Sequence, residues 1–239
     1  MGNIYSTNYF VPFYHSDLKG DMAASAILNV ALQVSGEQSA HLGRSEEWVM
    51  ENYHYSWIVT EYEIDIKRLP KFLEEIVIET EAINYNKFFC YRDFRYKSKE
   101  GELLVNIHST WVLMDSVSRK AGRVEEEIVK PYESEKINKI KRGHVFSKLE
   151  NAKVKKYQIR YSDIDLNMHV NNSKYYEWAI NPLGFDFLTH HRPKKIYIKY
   201  NHEILPGEQI SSSVMLRDKI SHHLINDNDA QIEIEWEKI

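Results

Sequence analysis

Apolar positions early in the chain recur every four residues: Met22, Ala26, Val30 and Val34, with Ala23, Ile27 and Ala31 beside them. That spacing predicts a helix whose apolar stripe is held against a core. The period then changes. Tyr62, Ile64 and Ile66 alternate with Glu61, Glu63 and Asp65, and Leu103, Val105, Ile107, Trp111 and Leu113 keep a near period-two face, so half-buried strands are predicted. Past residue 150 the same succession returns. Asn171 or Asn172 can cap a short helix carrying Tyr175, Trp178 and Ala179, and Pro182 ends it. Strands follow near 194–204, 208–218 and 229–237, the last alternating Ile232, Ile234 and Trp236 with Glu233, Glu235 and Glu237. Residues 115–150, rich in Lys, Glu, Ser and Arg with little periodicity, read as a connecting segment.

The two successions resemble each other in detail. Ser16-Asp17-Leu18 lies over Ser162-Asp163-Ile164, and Asp21-Met22 over Asn167-Met168. Tyr62, Ile64, Ile66 and Leu69-Pro70 recur as Ile198, Tyr200, His202 and Leu205-Pro206. A helix wrapped by a curved antiparallel sheet, made twice, is an α+β tandem (double) hotdog. The expected division is 1–114, a linker over 115–150, and 151–239. In this register Asp165 faces Lys19, Asn167 faces Asp21, His169 faces Ala23 and Glu203 faces Lys67. The first copy then lacks the polar set of the second and is expected to shape a pocket. Its extra length, between Gly36 and Trp57, is expected to help cover that pocket.

Composition narrows the function classes. The 239 residues carry 31 Lys+Arg against 35 Asp+Glu, a formal charge of −4, which argues against a broadly basic nucleic-acid binder. The one cysteine, Cys90, allows no intramolecular disulfide and no multi-thiolate metal site. No apolar run approaches the ~18 residues of a membrane span, and the start of the chain lacks signal-peptide blocks, so the expected compartment is the cytoplasm. Eleven histidines show no ligand spacing, and the adjacent pairs His190-His191 and His222-His223 would point apart on a strand, so no metal or other cofactor is expected.

The run from Tyr161 to Tyr175, Tyr-Ser-Asp-Ile-Asp-Leu-Asn-Met-His-Val-Asn-Asn-Ser-Lys-Tyr, resembles the D-x-N-x-H-V-N-N-x-x-Y signature of acyl-acyl carrier protein thioesterases, and Tyr200-Asn201-His202-Glu203 extends the likeness. The resemblance implies hydrolysis of a fatty acyl thioester on acyl carrier protein. It also implies a site of Asn167, His169 and Glu203 with Asp165 as supporting carboxylate. Glu203 is the preferred general base, His169 polarises the same water, Asn167 orients water or carbonyl, and Asp165 fixes His169 or Asn167. Single-hotdog coenzyme A thioesterases place a carboxylate at the position resembling Asp165, so Asp165 stands as the alternative base. A cysteine mechanism is rejected: Ile204 occupies the place of the cysteine described in some relatives, and Cys90 sits in an aromatic strand stretch. The N–H groups around Val170 to Ser173 are expected to receive the oxyanion. Asn171 and Asn172 are accounted for by capping, and Tyr175 and Trp178 by packing.

An acidic carrier calls for local positive charge, with Lys153, Lys155, Lys156, Arg192, Lys194 and Lys195 as candidates, joined by Lys136, Lys139, Lys141 and Arg142. An acyl-coenzyme A thioesterase and a non-catalytic acyl-binding protein are the competing readings. A tandem hotdog can pair internally, yet its sheet edges leave a homodimer open.

Overall fold

The computed structural model describes residues 2–239. Strand β1 (Ile4–Phe10) leads through a 3-10 turn (Phe13–His15) to α1 (Ala24–His41) and α2 (Glu46–Tyr53). Then come β2 (Tyr55–Ile66), β3 (Glu75–Tyr85), β4 (Cys90–Ser98) and β5 (Leu103–Asp115). The connecting stretch holds α3 (Glu126–Val129) and β6 (Glu135–Lys136). The second half repeats the plan. It contains β7 (Lys153–Gln158), a 3-10 turn (Tyr161–Asp163), α4 (Asn172–Ile180), α5 (Phe185–His190), β8 (His191–Tyr200), β9 (Gln209–Arg217), β10 (Ile220–Ile225) and β11 (Ala230–Lys238).

One antiparallel sheet runs through both halves in the order β1-β3-β4-β5-β2-β8-β11-β10-β9-β7, with β6 attached parallel to β3. The halves join where β2 pairs β8, from Glu61 opposite Lys199 to Asp65 opposite Lys195. The alternation in β2 sets what each face of the junction does. Tyr62 and Ile64 turn inward to a buried cluster shared with Ile196 and Ile198, while Glu63 and Asp65 turn outward, 2.8 and 3.1 Å from Lys195 Nζ. Inside the curved sheet α1 and α4 pack on one another. The α1 stripe is wider than its four-residue spacing suggested, because Ile27, Leu28, Val30, Ala31 and Val34 are all buried between sheet and partner helix. This is the tandem hotdog expected, in two halves of unequal length.

Strand β10 was not legible as a strand. Its centre is Ser221, His222 and His223, all buried, so the apolar alternation is broken by polar residues taken into the interior. His222 Nδ1 lies 2.9 Å from Glu233, and His223 Nε2 lies 2.7 Å from Ser221 Oγ. The segment 115–150 is also fastened down. Ile128, Val129 and Tyr132 are buried, and His144 stacks on Tyr197 with ring centroids 3.7 Å apart.

Hydrogen bonds set the internal repeat two residues away from the register read from the letters. Asp17 N–H donates to Asp21 O (2.8 Å) as Asp165 N–H donates to His169 O (2.9 Å). Met22 N–H donates to Pro70 O (2.7 Å) as Val170 N–H donates to Ile204 O (3.1 Å). Gly20 and Met168 occupy the matching left-handed position, at φ 71° and 63°. The structural partners are therefore Asp17 with Asp165, Lys19 with Asn167, Asp21 with His169 and Leu69 with Glu203. The amide, imidazole and glutamate are absent from the first half, as expected, but its aspartate is retained.

Candidate active site

The loop before α4 is folded by its own polar side chains. Asp163 is fully buried and accepts from Arg160 N–H (2.8 Å) and Arg160 Nη2 (2.9 Å), while its carbonyl accepts from Asn171 N–H (2.9 Å). Asp165 Oδ1 accepts from Asn167 N–H (2.9 Å), the side-chain turn that aspartate commonly makes. The chain then passes through left-handed Met168 and turns His169 back toward the cavity. Asn171 caps α4, its Oδ1 accepting from Ser173 N–H (2.9 Å) and Ser173 Oγ (2.7 Å). The sister position Ala23 makes no such cap.

Glu203 arrives from the end of β8. Asn201 and His202 N–H donate to Asp229 O (2.8 and 3.2 Å), and Ile204 N–H donates to the hydroxyl of Tyr175 on α4 (3.1 Å). With Val170 N–H bonded to Ile204 O, helix, loop and strand exit are tied together, and Glu203 Oε2 lies 3.4 Å from His169 Nε2. Arg119, in the turn after β5, contacts the same Oε2 through Nη2.

Asp165, Asn167, His169 and Glu203 all line one cavity of about 1060 Å³. His169 and Glu203 touch one another; Asp165 serves the loop, and Asn167 is exposed at the rim. The first half supplies much of the remaining wall, including Leu32, Met50, Trp57, Val59, Ala82 and Trp111, beside Val170, Tyr175 and Tyr200 of the second half. The extra length of that half does border the cavity: Gly36 and Ser39 on the extended end of α1, and Glu46 and Met50 on α2. Burial, then Glu47 and Asp165, raise the Glu46 carboxyl above its ordinary value. Cys90 also lines the cavity, where burial pushes its thiol up to about 12.

The backbone at the start of α4 does not form the broad oxyanion cradle expected from residues 170–173. Val170 N–H is taken by Ile204 O, Asn171 N–H by Asp163 O and Ser173 N–H by the Asn171 side chain. The same loop closure that positions His169 consumes these donors. The N–H of Asn172, a residue lining the cavity, finds no acceptor among the described residues.

Two contributors escaped the sequence reading. Tyr175, treated as packing, also anchors the residue after Glu203; Arg119, treated only as part of a polar segment, meets Glu203 from across the cavity. The place of Tyr175 as the last residue of the signature hinted at the first, and no local signal marked the second. Among the described residues, no group of three His, Cys, Asp or Glu side chains is arranged to hold a metal ion, and no helix is long and apolar enough to cross a membrane.

Residues 2–132 match the family model for the acyl-ACP thioesterase N-terminal domain, and residues 146–238 match the one for the C-terminal domain. A chloroplastic palmitoyl-acyl carrier protein thioesterase of Gossypium hirsutum is 24% identical over 187 residues, covering 71% of this chain and 43% of that protein. The chloroplastic oleoyl-acyl carrier protein thioesterase 2 of Arabidopsis thaliana is 23% identical over 235 residues, covering 88% and 62%. The chain thus spans 43% and 62% of the length of these two curated relatives. Among solved structures, a provisionally described oleoyl thioesterase of Lactobacillus plantarum superposes with a TM-score of 0.94 at 29% identity, over 100% of this chain and 97% of that one. The 12:0-ACP thioesterase of Umbellularia californica shares the fold, with a TM-score of 0.87 at 18% identity over 99% and 98%.

Proposed function

This chain belongs to the acyl-ACP thioesterase family, and from that premise we propose that it hydrolyses fatty acyl thioesters of acyl carrier protein, releasing free fatty acid and the carrier thiol. The observation that carries the reading is the contact of Glu203 with His169, 3.4 Å, at the wall of a cavity of about 1060 Å³. That volume is in the range of pockets that enclose an extended small ligand. An acyl chain in the first half's cavity would present its thioester carbonyl to the second half's polar residues.

In this scheme Glu203 takes a proton from water as the water oxygen adds to the carbonyl carbon, and His169 donates to the same water or to the departing sulfur. The oxyanion formed needs donors, for which the exposed amide of Asn167 and the N–H of Asn172 are the candidates. Collapse of the adduct breaks the carbon–sulfur bond, and the thiolate takes up a proton. Asp165 positions Asn167 through the turn it makes, a task Asp17 performs identically in the half without the site, where its Oδ1 accepts from Lys19 N–H (2.8 Å). That shared task favours Glu203 over Asp165 as base. The raised Cys90 thiol is poorly suited to act as a thiolate nucleophile.

For carrier docking, Arg192, Lys194 and Lys195 are already paired with Glu237, Glu235, and Glu63 with Asp65. The reading therefore shifts weight to Lys153 and Lys156 on edge strand β7, with Lys139 and Arg142 of the connecting segment. It takes the compartment to be the cytoplasm, and assigns any homodimer to the outer strands β1 and β7. The test is fatty acid release by purified protein from acyl carriers and coenzyme A esters of matched chain length. Higher kcat/KM on the carrier esters is expected. Preference for coenzyme A esters would reassign the substrate, and release from neither would leave an acyl-binding protein.

A further inference from the structure

We propose that Arg119, in the turn after β5, is a positioning residue for catalysis that holds Glu203 in its His169-facing orientation; the proposal rests on the reading of Glu203 as general base. Three observations converge on it. First, Arg119 Nη2 and His169 Nε2 address the same oxygen, Glu203 Oε2, from opposite halves of the fold. A carboxylate so bracketed has fewer orientations open to it than one held by His169 alone. Second, the turn that presents Arg119 is itself pinned. Asp115 Oδ1 accepts from Val117 N–H (3.1 Å) and Ser118 N–H (2.6 Å), Arg119 N–H donates to Asp115 O (3.0 Å), and Ser116 N–H donates to His54 O (2.9 Å). Third, Arg119 has φ 54°, a left-handed conformation that glycine fills at less cost. The turn thus places a long charged side chain where its backbone would favour a smaller residue, and that side chain lines the cavity.

The arrangement couples the two halves chemically. The first half would not only enclose the acyl chain but also help orient the base at the carbonyl. The pair is partly exposed, at 45% and 29% for the two side chains, so its electrostatic share is screened and orientation carries more of the effect. Other charged side chains lining the cavity are Arg44, Glu46, Glu47, Arg92 and Asp165, with the histidines His169 and His202. All remain in place when Arg119 alone is changed.

The experiment compares wild type, Arg119→Ala and Arg119→Lys on an acyl-carrier substrate, measuring kcat and KM, with Glu203→Gln run in parallel. Arg119→Ala is expected to lower kcat about 10- to 100-fold, the scale of a misplaced catalytic group, with a smaller change in KM. Arg119→Lys should restore most of the lost kcat. KM does not depend on what fraction of the protein is folded, and circular dichroism of each variant gives that fraction, so kcat per folded enzyme stays informative if Arg119→Ala is unstable. An unchanged kcat per folded enzyme would overturn the proposal, as would a loss confined to KM or one that Arg119→Lys does not recover. Full turnover by Glu203→Gln would instead remove the reading on which the proposal rests, a result distinguishable from failure of the Arg119 variants.

Discussion

Replacing Tyr175 by Phe removes a single oxygen, yet two consequences should be separable. The Tyr175 hydroxyl accepts from Ile204 N–H at 3.1 Å, and Ile204 is fully buried, so the variant leaves a backbone donor without its partner and without water. An unsatisfied buried donor of this kind costs about 1–3 kcal/mol. For a chain of this size each kcal/mol lowers the melting midpoint by about 2–4 °C. The ring itself is conserved by the substitution, so its edge-on packing against Tyr200, at 5.2 Å between centroids, should persist. Because Ile204 follows Glu203 directly, slack at this bond also loosens the carboxylate that faces His169, and kcat should fall about tenfold. Thermal unfolding followed by circular dichroism, together with steady-state release of fatty acid, reads both effects. A melting midpoint and kcat equal to wild type would refute the reasoning. A lower midpoint with unchanged kcat would show that the bond holds the fold but not the site.

Further substitutions probe separate links. His223 is buried as the neutral imidazole, pushed down to about 3 by burial first and by His222 next, against an ordinary value of 6.5. The unfolded chain binds the proton first, so this stability is complete above about pH 6.5 and drains as pH falls toward 3, reaching a loss of about 2 kcal/mol by pH 5. His223→Gln should flatten the difference between urea midpoints measured at pH 7.5 and pH 5, and an unchanged difference would count against it. Ala82→Phe, on the cavity wall within the first half, should shift preference toward shorter acyl chains by about tenfold or more across a substrate series; no shift would place the acyl chain elsewhere. Asn171→Ala should cost about 1 kcal/mol of stability through the lost α4 cap, measured by denaturant unfolding, and an effect near zero would deny the cap its role.

What could be read ahead of the structure was whatever is local in sequence. The four-residue apolar spacing of Ala26, Val30 and Val34 and the alternation from Glu61 to Ile66 arise from the geometry of α1 and β2, so they mark those elements in the letters themselves, although Met22, at the head of the same spacing, lies before the helix begins. The residues Asp165, Asn167 and His169 were marked by the resemblance of their run to a known signature, and the loop they form is held by bonds between positions two to four residues apart. Non-local contributions were hidden. Arg119 meets Glu203 across 84 residues, from a polar turn with nothing to distinguish it. The repeat was legible but its register slipped by two, because Ser16-Asp17 and Asp21-Met22 find similar letters in Ser162-Asp163 and Asn167-Met168, positions that the hydrogen bonds do not equate. The donors assigned to an oxyanion at residues 170–173 looked free because their acceptors, Asp163 O and Ile204 O, become neighbours only when the loop closes.

The account turns on one carboxylate, and single-turnover release of fatty acid by Glu203→Gln at saturating acyl carrier tests it most directly. Loss of the base predicts a rate about 10²- to 10⁴-fold below wild type with acyl-carrier binding retained. A rate within a few-fold of wild type would contradict the account and move the chemistry to another residue, with Asp165 the first to examine.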